Sequence, residues 1–190
     1  MLEGIKRYKM LWNKSVPLKV VAFAWKALQD RIPIVDNLAK KGLRKKGEDD
    51  LCALCGIMLE TSEHLLFSCK KAWEIWTACF AWWGFNVVSQ EKGWLHLEEH
   101  VGLFQRKNTS KVRLVIWFTM LWSFWLWRNQ IIFQQEVEPQ IKVMELIKFR
   151  SFSWAKAKLV PDLSKECWYN FPSKSYAFNW DFSRSDRNIN

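Results

Sequence analysis

Apolar positions set the helical frame of this chain. Val20, Val21, Phe23, Ala24, Ala27 and Leu28 recur at intervals of three and four, the spacing of one buried helix face. The helical pattern covers residues 5–30 and is interrupted at Val16-Pro17, where Pro17 suits the first turn of a helix running to about Asp30. Ile32-Pro33 acts as a stop, and Asp36-Asn37-Leu38-Ala39 restarts a short helix ended by Gly42. Residues 44–50, RKKGEDD, read as a solvated loop. Residues 70–83 predict a helix closed by Gly84, with Trp73, Trp76, Phe80 and Trp83 on one stripe. That stripe reads as core rather than as a base-stacking platform, because only Lys70 and Lys71 lie near it. Residues 85–108 read as loop-rich, with His96 and His100 as surface residues among acidic neighbours. Residues 110–134 predict a long aromatic helix and residues 138–158 an amphipathic one. Beyond Pro161 the chain turns polar and aromatic, and residues 181–190 are expected to be poorly ordered.

The stretch LVIWFTMLWSFWLW, residues 114–127, has no charged residue and is bounded by Arg113 and Arg128. A membrane-spanning helix needs roughly 20 apolar residues, so this stretch predicts a buried or partner-binding helix. The fold class is therefore mainly α. The 14 tryptophans and 13 phenylalanines make its core unusually aromatic.

The densest chemistry lies in CALCGIMLETSEHLLFSC, residues 52–69. Cys52, Cys55, His64 and Cys69 supply three thiolates and one imidazole, the ligand set of a closed, four-coordinate structural zinc site. Gly56 allows the backbone bend that such a knuckle requires. Thr61 or Ser62 is positioned to cap a helix with His64 in its first turn. Cys69 is five residues beyond His64, which is 140° around a continuous α-helix at 100° per residue. Both cannot face one metal from an unbroken helix, so a break is expected near Ser68, with Cys69 opening the next helix. Three of the five cysteines sit in this cluster. That usage points to a reducing, intracellular compartment, nucleus or cytoplasm. The N-terminus has no signal-peptide apolar stretch, so secretion is not expected.

Charge adds a class of partner. Residues 1–50 hold 12 basic against 6 acidic side chains, and residues 101–150 hold 8 against 3, within a net charge of +10. Such a balance favours a polyanion, nucleic acid first. Lys40, Lys41, Arg44, Lys45 and Lys46 form the densest basic run, beside the cysteine cluster, suited to phosphate contacts without sequence reading. Clustered carboxylates able to hold two catalytic magnesium ions are not visible. Asp49-Asp50 is the only acidic pair of that look, and it sits in the charged loop.

The order of these features resembles the zinc-binding domain found near the C-terminus of reverse transcriptases of plant non-LTR (LINE-type) retrotransposons. The similarity is carried by LWNKSVPLKVVAFAW at 11–25, IPIVDNL at 32–38, Cys52 and Cys55, ETSEHLLFSC at 60–69, and Ala72 with Trp76. FWLWRNQIIF at 124–133 is similar to the Trp-x-x-Arg-Asn-x-x-x-Phe stretch that often follows. The resemblance covers about residues 8–133. It implies zinc on Cys52, Cys55, His64 and Cys69 and, by association, a nucleic-acid role.

The expectation is a small helical domain stapled by one Cys3His zinc site over residues 1–133, a helical extension over 134–180, and a tail over 181–190. Its function would be that of a non-catalytic zinc-binding module of a retrotransposon-derived reverse transcriptase, aiding binding of RNA or DNA. The competing expectation is a structural or protein-interaction module, with the aromatic helix 114–127 presenting an exposed face to a reverse transcriptase core or another protein.

Overall fold

The computed structural model describes residues 11–12, 14–45, 50–84, 92–102, 107–135 and 138–170. Lys46 and the tail 181–190 lie outside them. The helices are α1 (Leu18–Leu28), α2 (Val35–Lys40), α3 (Lys70–Trp83), α4 (Gly93–Gly102), α5 (Lys107–Gln134), α6 (Gln140–Lys158) and α7 (Lys165–Asn170). A π-turn over His64–Ser68 precedes α3. Among the described residues the only extended pairing is a single antiparallel bridge between Leu51 and Leu59.

The expected punctuation is where the backbone turns. Pro17 caps α1. Asp30, at φ 53°, turns the chain towards α2. That corner is tied by Asn37 Nδ2, which donates to Asp30 Oδ1 at 3.2 Å and to the Ile32 carbonyl at 3.0 Å. Gly84 ends α3 at φ 87°, a left-handed conformation that glycine adopts without steric cost.

Helix α5 is the axis of the fold, packing against α1, α4, α6 and the π-turn. Every residue from 114 to 127 is buried or half-buried, which is how an all-round apolar helix behaves in a core. The exposed aromatic face considered for this helix is therefore not present, because α1 and α6 cover it. Phe23 of α1 lies 5.5 Å from Trp122 and 5.3 Å from Trp125, ring centre to ring centre. Among the described residues no helix is long and apolar enough to cross a membrane.

Burying so many tryptophans requires acceptors for their indole N–H groups. Trp76 donates to the Leu66 carbonyl, Trp82 to that of Tyr169, Trp127 to that of Glu138 and Trp168 to that of Lys148. Trp117 donates instead to His96 Nδ1 at 3.1 Å. On the α3 stripe, Trp76, Phe80 and Trp83 are core, as expected, while Trp73 is half exposed at 50%.

The region read as loop-rich contains α4. Gly93 begins it at a point of close approach: a Cβ there would lie 2.8 Å from Leu28 Cδ2 and 2.9 Å from Phe67 Cε2. This brings His96 and His100 inward, at 2% and 5% exposure. They are not surface residues. Their rings pack among Trp76, Phe80 and Phe67. The chain beyond Pro161 also contributes to the core. Trp168 of α7 is buried with Trp82 and Trp83 at 5.8 and 5.9 Å.

Candidate metal centre

Three short elements deliver the four candidate ligands. The knuckle of residues 50–60 is closed by Cys52 N–H to the Met58 carbonyl at 2.7 Å and Gly56 N–H to the Cys52 carbonyl at 2.7 Å. A further bond runs from Glu60 N–H to the Asp50 carbonyl at 3.0 Å. Gly56 sits at φ 67° in open space, so conformation rather than crowding calls for glycine there. Thr61 Oγ1 accepts the His64 N–H at 3.0 Å, the expected cap.

Next comes the break, and it takes a specific form. Residues 64–68 make one π-turn, with Cys69 N–H bonded to the His64 carbonyl at 2.7 Å. That i→i+5 bond widens the turn and brings residues 64 and 69 to one side. Cys69 is then extended, at φ −61° and ψ 131°, and caps α3. The angular conflict of a continuous α-helix is resolved by the wide turn before the break.

All four ligand atoms lie within 4.8 Å of one another. Cys52 Sγ and Cys69 Sγ are 3.9 Å apart, and Cys55 Sγ is 3.3 Å from His64 Nε2. A tetrahedron with usual zinc bond lengths has S···S edges of about 3.8 Å and S···N edges of about 3.5 Å. The donor set and its spacing therefore fit zinc. Cys52 and Cys69 are buried, while Cys55 and His64 are half-buried. The Cys69 thiol is held below its ordinary value, first by the hydrogen bond from Cys52 and then by the N–H groups of Ala72 and Lys71 at the start of α3. Cys52 is pushed the opposite way by the same bond and by burial. Cys79 belongs to the core, its thiol pushed up to about 12 by burial.

The family described as zinc-binding in reverse transcriptase matches residues 3–76. This segment is similar to that zinc-binding family. All four candidate ligands lie inside the match, together with α1, α2, the knuckle, the π-turn and the first part of α3. The matched family is a zinc-binding one, not a catalytic one. No curated protein and no solved structure matches the chain.

The basic run beside the knuckle is less uniform than its sequence suggests. The Lys40 ammonium is held by Asp36 at 2.7 Å and Asp30 at 3.2 Å, which pushes its pKa up. Arg44 Nε lies 3.8 Å from Asp50 Oδ1. Lys41, Arg44 and Lys45 are exposed. Two residues from separate motifs, whose pairing the sequence did not indicate, stand against the knuckle. Glu60 and Arg128 form a buried ion pair, Arg128 Nη2 to Glu60 Oε1 at 2.7 Å and Arg128 Nε to Glu60 Oε2 at 3.3 Å. The signal available was the Arg128-Asn129 dipeptide inside the apolar helix, where a charge requires a buried partner.

Proposed function

We propose that this chain is a non-catalytic zinc-binding module derived from a reverse transcriptase of plant LINE type, whose zinc maintains the fold and whose basic flank aids nucleic-acid binding. The observation that carries the non-catalytic reading is the closed donor set. Three thiolates and an imidazole complete a tetrahedron, whereas catalytic zinc keeps a position open for water or substrate. The nucleic-acid reading is supported by Lys41, Arg44 and Lys45, exposed beside the knuckle. Contacts of that kind go to phosphates and tell RNA from DNA poorly. Free and metallated thiols suit a reducing interior, nucleus or cytoplasm.

The test is binding of a single-stranded RNA and a duplex DNA across a salt series. Affinity should fall steeply as salt rises, by about one unit of log–log slope per phosphate contact. Salt-insensitive binding, or none at low salt, refutes the nucleic-acid part and leaves the zinc part standing.

A second reading, protein interaction, is favoured by a different surface from the one expected. Leu51, Ile57, Met58 and Leu59 are all exposed on the knuckle, Ile57 at 72%. Aliphatic side chains grouped on a turn point to a partner surface. Under this reading, I57S/M58S leaves nucleic-acid affinity unchanged, and reduced affinity counts against it.

A further inference from the structure

Glu60 is 1% exposed and Arg128 4%, and they are 68 residues apart in sequence. The carboxylate does more than meet the guanidinium. Its Oε2 accepts the Ala53 N–H at 3.4 Å, and its Oε1 accepts the Val35 N–H at 3.2 Å. Ala53 lies between the ligands Cys52 and Cys55, and Val35 opens α2. One side chain thus holds the backbone between two metal ligands, the start of a helix, and α5. Arg128 is itself held, with Nη1 donating to Asn129 Oδ1 at 3.1 Å and its guanidinium 5.1 Å from the centre of the Trp125 ring.

A carboxylate this enclosed requires a compensating charge, and the two-point contact from Arg128 supplies it in one orientation. The carboxylate then fixes the knuckle's backbone, as outer residues around a metal fix its ligands. We propose that Glu60 and Arg128 are positioning residues for the zinc site. The unit that binds zinc at full affinity therefore extends into α5, beyond the matched segment ending at residue 76.

The test uses the full chain with zinc affinity measured by competition against a chromophoric chelator. The Co2+-substituted absorption spectrum serves as the signature of ligand geometry. Thermal unfolding is followed in parallel. Glu60→Gln and Arg128→Met should each weaken zinc binding by about 10–100-fold, the usual cost of removing such an outer partner. Each single change also leaves a mismatched buried group and should lower stability. The decisive variant is E60L/R128M, in which an apolar pair leaves no uncompensated charge, although the Val35 and Ala53 N–H groups lose their acceptor. It should still bind zinc about 10–100-fold more weakly than the native chain and show an altered cobalt spectrum. Native zinc affinity and spectrum in that variant would overturn the proposal and leave the pair as packing alone. Should it fail to fold, Arg128→Lys decides. The charge is kept but the fork is removed, so weakened zinc binding supports the positioning role and native affinity overturns it.

Discussion

Acid should unfold this protein through α4 before its carboxylates alone would do so. Trp117 Nε1 donates to His96 Nδ1, so Nδ1 holds a lone pair and the neutral ring carries its proton on Nε2. His100 Nε2 donates to the Arg113 carbonyl at 3.0 Å, which leaves Nδ1 as the nitrogen that would take up a further proton. Both rings are packed among aromatic side chains, and among the described residues no carboxylate is bonded to them. Burial pushes His96 down from 6.5 to about 4. His100 is lowered well below its ordinary value by burial, then by the Arg113 and His96 charges. The unfolded chain therefore binds more protons than the folded one between about pH 4 and 6.5. The stability these groups contribute is fully present above pH 6.5 and is lost as pH falls through that window. For His96, a displacement from 6.5 to about 4 corresponds to about 3 kcal/mol at 1.36 kcal/mol per unit. That is a large share of the 5–15 kcal/mol typical of a domain. The assay is urea unfolding from pH 7.5 to 4, comparing the native chain with His96→Asn. Asparagine keeps an acceptor near the Nδ1 position and cannot titrate. Acid release of zinc is common to both proteins, so the difference in slope isolates the imidazole. The native chain should lose stability more steeply below pH 6.5. Equal slopes refute the reasoning.

Two further outcomes follow from the packing and the charges. Gly93→Ala places a methyl group against Leu28 and Phe67 and should destabilise by about 1–3 kcal/mol in urea unfolding; native stability would show that α4 yields there. K41Q/K45Q should reduce the salt slope of nucleic-acid binding by about one for each phosphate the variant no longer neutralises, whereas Lys40→Gln, already engaged by Asp30 and Asp36, should change it little; the reverse order would place the phosphates elsewhere.

The metal centre was legible because its constraints are local. Ligand spacing named Cys52, Cys55, His64 and Cys69, and the angle between residues 64 and 69 required a break where the π-turn and extended Cys69 stand. The long uncharged stretch identified α5 as a core helix for the same reason. Burial of His96 and His100 was not legible, because Glu98 and Glu99 give α4 a polar look. Its place in the core is decided by Gly93 touching residues of α1 and the π-turn. The Glu60–Arg128 pair joins two distant segments, and nothing in the spacing of either names the other. The Asp36–Lys40 pairing, four apart on one helix, was within reach of spacing. The Asp30 contact that completes it depends on the corner between α1 and α2. Trp168 looked like part of a thinning end, and it is buried only because α3 and α6 leave a slot that fits it.

One zinc ion on Cys52, Cys55, His64 and Cys69 should hold this fold together. Metal analysis of the purified chain, with thermal unfolding followed before and after chelation, tests it directly. The unfolded chain has no preformed site, so metal-binding free energy appears as folding stability. One zinc per chain is expected, with a large drop in melting temperature on chelation that added zinc reverses, and neither zinc nor reversal in Cys52→Ser or Cys69→Ser. A native chain without stoichiometric zinc, or one whose melting temperature is indifferent to chelation, would contradict the account.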